Sequence, residues 1–240
     1  MDTAKYVNWA AERLGITFND TSLLLMAFTH RSYLNEHKKT VKEHNERLEF
    51  LGDAVLELVV TEYLFKNYSE PEGVLTNWRS ALVRTESIGA AGQKLGFADL
   101  VRLSRGEKRG SDRAKAQIMA NAFEAVIGAI YLDQGYDVAA QFITDNIVST
   151  FEEILKSGSW QDAKSQLQEV VQSKEGFTPI YKVLDEVGPD HDKIFTVGVF
   201  VEGKLKGQGA GPSKQAAQQV AAQAALKSYT DDDTAPKEKE

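Results

Sequence analysis

Residues 48–65 read LEFLGDAVLELVVTEYLF, and residues 120–133 read ANAFEAVIGAIYLD. Apolar residues recur in both at three- and four-residue spacing, the period of a helix. Both segments are too apolar all round to lie mostly exposed, so each is expected to pack inside a helical assembly. Each nevertheless carries acids, Glu49 and Asp53 in the first and Glu124 in the second. A carboxylate among Phe123, Val126, Ile127 and Ile130 is costly unless a cation meets it.

The same helical period continues through TSLLLMAF (21–28) and LTNWRSALVRTESIGAAGQKLG (75–96), with breaks at Asn19-Asp20, at 69–73 and in the charged stretch RGEKRGSDRAKA (105–116). No segment in this half alternates convincingly as a strand would. Residues 1–156 are therefore expected to form one all-α domain. KSGSW (156–160) is short, polar and glycine-containing, which places a linker at 157–160.

The texture then changes. DAKSQLQEVVQS is an amphipathic helix with Asp162 placed to cap it. TPIYKVLDEV, KIFTVGVFVEG and KLKGQG follow as three strand-like pieces; in the second, Phe195, Val197, Val199 and Val201 make one apolar face. SKQAAQQVAAQAALKSY is an alanine-rich helix with Ala217, Ala221 and Ala224 on the stripe expected to meet a sheet. The order α-β-β-β-α makes residues 161–229 an α+β domain. Residues 230–240, TDDDTAPKEKE, have no apolar periodicity and are expected to be a disordered acidic tail.

Composition narrows the function. No stretch approaches the roughly 20 apolar residues that cross a bilayer, and MDTAKYVNWAAERLG lacks the pattern of a secretory signal. The chain has no cysteine, so disulfides and thiolate metal sites are excluded and a reducing cytoplasm fits. The net charge of −7 argues at first against a nucleic-acid partner. It is unevenly spread: 18 Lys/Arg stand against 22 Asp/Glu in residues 1–159, 8 against 8 in 160–229 and 2 against 5 in 230–240. A local basic face in the second domain therefore remains open.

Glu46, Glu49 and Asp53 lie at i, i+3 and i+7, on one helix face. Three like charges on one partly buried face repel one another unless a cation joins them, and oxygen-only ligands suit a hard divalent ion such as Mg²⁺. Asn121 and Glu124, again at i and i+3, are placed to complete such a site if the two helices meet. Mg²⁺ held there would lower the pKa of a water and stabilise the leaving oxygen of a phosphodiester.

HRSYLNE (30–36), NERLEFLGDAVL (45–56), EGVLTNWRSALV (72–83) and EAVIGAIYLD (124–133) together resemble the ribonuclease III family of double-stranded-RNA endonucleases. The second half is similar to the double-stranded-RNA-binding domain that follows the nuclease domain in that family. The resemblance implies a homodimer that uses Mg²⁺, with Mn²⁺ able to substitute, and a metal-activated water. Its products would be staggered ends with 5′-phosphate and 3′-hydroxyl, in the processing of ribosomal RNA precursors and messenger RNAs. By motif position, Asp53 and Glu124 are the catalytic acids, Glu49, Asn121 and Glu124 the metal site, Glu46 and Glu72 acids beside it, and Phe50 a dimer-interface aromatic. His30 and Ser32 read as a hydrogen-bonded turn, and nothing supports a serine-histidine-acid triad.

Asn121 departs from the family, which usually has Asp there. Asn keeps a carbonyl oxygen but removes a negative charge, so weaker Mg²⁺ affinity is expected. Two readings stay open: a working nuclease, or an RNA-binding relative with impaired cleavage. In the second domain, duplex RNA is gripped through 2′-hydroxyls in minor grooves and the phosphates between them. Ser165, Gln168, Glu169 and Gln172 share the exposed face of the first helix and match its minor-groove positions. Pro189, Asp190 and His191 sit in the loop that would reach the next minor groove. GQGAGPSK leads into the last helix, where backbone N–H groups, Ser213 and Lys214 can face phosphates. It resembles a nucleotide-binding P-loop only faintly, lacking the glycine before the lysine, and Gln215 stands where the family often has a second lysine.

Overall fold

The central helix of the first half, α7 (Asp112–Gln134), is enclosed by protein: Ala122, Phe123, Ala125, Val126, Ile127, Ala129 and Ile130 have no solvent exposure. A computed structural model describes residues 3–158, 160, 162–189 and 193–231. The chain divides into two compact units, Met1–Trp160 and Gln161–Glu240.

The first unit is helical. α1 (Ala4–Trp9), continued by a wider turn over Ala10–Leu14, is followed by α2 (Thr21–Ala27), α3 (Arg31–Glu36) and α4 (Glu46–Asn67). Then come α5 (Glu72–Val83), α6 (Thr85–Lys94), α7, α8 (Tyr136–Asn146) and α9 (Phe151–Ser157). The 75–96 segment, which reads as one helix in sequence, breaks at Arg84, whose φ of −69° and ψ of 152° are extended. The apolar phase resumes after the break, so periodicity alone does not register it. The charged stretch 105–116 is not all loop either. Ser111 caps α7 by accepting from the Ala114 N–H at 3.3 Å, and the exposed Asp112, Arg113 and Lys115 form its solvated first turn. The one extended pairing in this unit among the described residues is a parallel bridge between Thr29 and Arg102.

α4 and α7 meet backbone to backbone. A methyl group at Gly52 would overlap the carbonyl oxygen of Glu124, and one at Gly128 would overlap that of Leu48. Glycine weakens a helix by roughly 1 kcal/mol; here it permits an approach no other residue allows. Around this contact Leu48, Val55, Leu56, Val59, Val60 and Leu64 bury the inner side of α4.

The second unit is a three-stranded antiparallel sheet in the order β1 (Ile180–Val187), β2 (Ile194–Val201), β3 (Lys204–Gly211), with α10 (Ala163–Glu175) before it and α11 (Lys214–Asp231) after. Asp162 caps α10 through the Lys164 N–H at 3.2 Å. Glu202 and Gly203, at φ 50° and 76°, make the tight mirror-image turn that suits hairpin twist. Val199 and Val201 are fully buried with Leu167, Val171, Ala221, Ala222 and Ala225. Ala224 is only partly buried, so the stripe that meets the sheet is Ala217, Ala221, Ala222 and Ala225. Gly207, Gly209 and Gly211 belong to β3 rather than to a turn, and a methyl on any of them would collide with α11. The expected tail begins one residue before the end of α11; residues 232–240, Ser159 in the expected linker and Gln161 at the start of the expected second domain lie outside the described residues. No helix among the described residues is long and apolar enough to cross a membrane.

Gly52→Ala should cost roughly 3 kcal/mol or more by forcing the two helices apart, read as a fall of about 10 °C in the melting temperature of the helical unit. An unchanged melting temperature would show that the contact is not close-packed.

Candidate active site

The Gly52–Gly128 contact brings the outward sides of α4 and α7 to one place. Glu49 lies one turn before Gly52, and Glu124 one turn before Gly128. Both acids are partly buried, while Asp53 and Glu46 are exposed. Glu124 is pushed up to about 8, first by burial and then by the negative charges of Asp53 and Glu49. Glu49 is raised as well, by burial and by the Glu46 charge, against a hydrogen bond from Asn121 that pulls it down, with Asp53 raising it further. Burial and like charge thus act together on both acids, and most strongly on Glu124.

Glu46, Glu49, Asp53, Asn121 and Glu124 therefore gather at one site on facing helices. They differ in what they touch. Glu46 turns to the side, its Oε1 3.5 Å from Arg31 Nη1 and its Oε2 3.8 Å from His44 Nδ1. Asn121 accepts a hydrogen bond on Oδ1 from Gln117 Nε2 at 2.7 Å. Glu72 does not join the cluster: it opens α5 and lines a recess with Thr61, Leu64, Phe65, Leu75, Thr76 and Arg79. Thr61 is eight residues beyond Asp53 on α4, roughly 12 Å along the axis.

The donor set fits a hard divalent cation. It is all oxygen and negatively charged, and a cation there would relieve the burial and charge repulsion that push Glu124 up. Among the described residues no three Asp, Glu or His side chains are drawn up as a closed cage, so carboxylate rotation would have to complete the ligand set.

His30 and Ser32 are structural. The His30 ring caps α3, its Nδ1 accepting from the Ser32 N–H at 3.2 Å, and Ser32 Oγ accepts from the Ser104 N–H at 3.1 Å. Phe50 is not a core residue, since it is 82% exposed beside a recess lined by Leu23, Met26, Leu51 and Leu132. Leu58 and Phe65 continue the same side of α4 at 56% and 78% exposure. Gln117 was not singled out in sequence; its position one turn before Asn121 was the available signal.

In the second unit Ser165, Gln168, Glu169 and Gln172 are exposed on α10, opposite the buried Leu167 and Val171. Ser213 caps α11, its Oγ accepting from the Ala216 N–H at 3.1 Å. Lys214 begins that helix, with its Nζ 3.4 Å from Glu186 Oε1. Asp190 and His191 lie outside the described residues.

Comparison with known proteins accounts for both units. The Ribonuclease-III-like family matches residues 20–151, and the Double-stranded RNA binding motif matches residues 163–229. Ribonuclease 3 of Enterococcus faecalis is 45% identical over 221 residues, covering 90% of this chain and 94% of that protein. Ribonuclease 3 of Anoxybacillus flavithermus is 47% identical over 216 residues, 90% of each. Among solved structures, the nuclease domain of ribonuclease III from Campylobacter jejuni covers 61% of this chain and 97% of its own, at 37% identity and a TM-score of 0.53. A second structure of that domain, described for flexibility in a region involved in dimer formation, is 39% identical over 58% of this chain and 97% of its own, with a TM-score of 0.52. With both units matched and relatives this similar over nine-tenths of its length, the chain belongs to the ribonuclease III family.

Proposed function

We propose that this chain is an endoribonuclease that hydrolyses double-stranded RNA with Mg²⁺, or Mn²⁺ in its place. The observation that carries this is the gathering of Glu49, Asp53 and Glu124 where α4 and α7 meet at Gly52 and Gly128, with burial and the two neighbouring charges pushing Glu124 up to about 8. Glu49 and Glu124 would hold the ion, with Asn121 beside them and Glu46 as a flanking acid. A bound Mg²⁺ would supply Lewis acidity at the scissile phosphate and lower the pKa of an attacking water. Asp53, the exposed acid of the three, is open to take a proton from that water. Attack at phosphorus with departure of the 3′-oxygen leaves a 5′-phosphate and a 3′-hydroxyl. Binding of the ion requires Glu124 to lose its proton, so more Mg²⁺ should be needed at pH 6 than at pH 8.

The second unit would deliver the duplex. Ser165, Gln168, Glu169 and Gln172 are hydrogen-bonding groups at minor-groove positions, Asp190 and His191 serve the next groove, and Ser213 with Lys214 faces the phosphates between. Lys214 would exchange Glu186 for phosphate, and the missing second lysine at Gln215 makes the salt dependence of binding shallow. Two active sites, one for each strand, follow from a homodimer. The exposed Phe50, Leu58 and Phe65 form an apolar stripe of the kind that marks an interface, and dimer formation is described for the Campylobacter jejuni nuclease domain. Work on ribosomal RNA precursors and structured messenger RNAs in the cytoplasm fits this chemistry.

The test is incubation of the purified protein with duplex RNA with and without Mg²⁺. Staggered fragments that need Mg²⁺ are expected, and Glu124→Gln should lower the cleavage rate by at least about 10³-fold while leaving the duplex bound. A shifted but intact duplex would favour the RNA-binding reading, and a cutting Glu124→Gln variant would overturn the site. In sedimentation, Phe50→Asp should convert dimers to monomers at micromolar concentration; persistent dimers would remove the α4 stripe from the interface.

A further inference from the structure

Asp162 stands just before α10 and is held from two helices. Its Oδ1 accepts from the Lys164 backbone N–H at 3.2 Å and from Gln219 Nε2 of α11, and its Oδ2 accepts from Ser165 Oγ at 2.7 Å. Burial pushes this carboxyl up, but the hydrogen bonds from Gln219, Ser165 and the Lys164 N–H outweigh it and hold Asp162 below the usual carboxylate range. It is therefore ionised at neutral pH, and an ionised carboxylate only accepts. The Ser165 hydroxyl thus has one direction. Its proton points at Asp162, and the lone pairs that remain on Oγ can only accept. Ser165 is exposed on the face of α10 that carries Gln168, and the two side chains line one recess with Tyr181 and Gln215.

We propose that Asp162 is a positioning residue for RNA recognition: it takes the Ser165 proton, so that Ser165 Oγ meets the duplex as an acceptor and a ribose 2′-hydroxyl must donate to it. The inference rests on the reading of this unit as the part that grips duplex RNA, and it turns one minor-groove position into a test for a donor. A serine hydroxyl left to rotate could donate as well, and would settle for the base-edge acceptors that line the minor groove of DNA and RNA alike. Held as an acceptor, it ignores them. Opposite A·U pairs the minor groove offers no base donor, so the 2′-hydroxyl is what remains.

The test measures binding of the full-length protein to two duplexes of A·U pairs, with EDTA in place of Mg²⁺. One is RNA; the other carries fluorine at every 2′-position, which keeps the duplex shape but has no proton to donate. The readout is the ratio of the two Kd values, from which any general change in affinity divides out. In Asp162→Asn the Lys164 N–H still needs an acceptor, so the amide places its oxygen there and its NH₂ against Ser165. Ser165 Oγ then accepts from the amide and turns its proton outward. Asparagine caps a helix as well as aspartate does, so the melting temperature should hold. The preference for RNA should fall roughly fivefold in Asp162→Asn and by a similar factor in Ser165→Ala, and the double variant should fall no further. A parent that binds both duplexes alike, an unchanged preference in either variant, or losses that multiply in the double variant would overturn the positioning role. Binding of the RNA duplex by the parent supports the RNA reading itself, so a null result in the variants then falls on this inference alone. No binding of either duplex by the parent would overturn that reading, and the inference with it.

Discussion

The helical unit depends on one contact, the backbone approach of α4 and α7 at Gly52 and Gly128. Each glycine faces a carbonyl oxygen of the opposite helix, so neither can be replaced without moving a backbone. This spacing is shorter than side chains would allow between two ordinary helices. It also decides where the acids fall, because Glu49 and Glu124 each lie one turn from a glycine. Packing and chemistry are therefore one constraint: helices that could be pushed apart by a methyl group could not hold their carboxylates within reach of one cation.

The electrostatics follow from that packing. Bringing Glu124 into a partly buried place beside Asp53 and Glu49 makes its ionised form unfavourable and pushes it up to about 8. The neighbouring charges are disposed of differently. Glu46 leans on Arg31 and His44. Glu49 is raised by burial first and then by the Glu46 charge. In the second unit the same economy of space recurs without charge: Gly207, Gly209 and Gly211 admit the backbone of α11 to the sheet, and small residues on the helix complete the fit.

Much of this was legible in the residues. Apolar periodicity separated the all-α half from the α-β-β-β-α half, and acids inside apolar helices marked the site before any geometry was known. Where periodicity misled, the cause was local. Arg84 changes backbone conformation without disturbing the apolar phase, so two helices read as one. The Asp112–Lys115 turn is charged because it is solvated helix, and Ser111 was the cap that marked its start. Glu72 matches a motif position but lies far along α4 from the cluster, a distance that motif matching does not carry. Phe50 matches a dimer-interface aromatic by motif position, and its exposure on α4 takes it out of the core.

The central claim is that the acid cluster is held together as a cation site, with Glu124 protonated until the ion binds. Counting protons released on Mn²⁺ binding tests it most directly, by calorimetry at pH 6.5 in buffers of different ionisation enthalpy. With Glu124 at about 8 in the free protein, close to one proton should leave for each Mn²⁺-filled site. Binding without proton release would contradict the account.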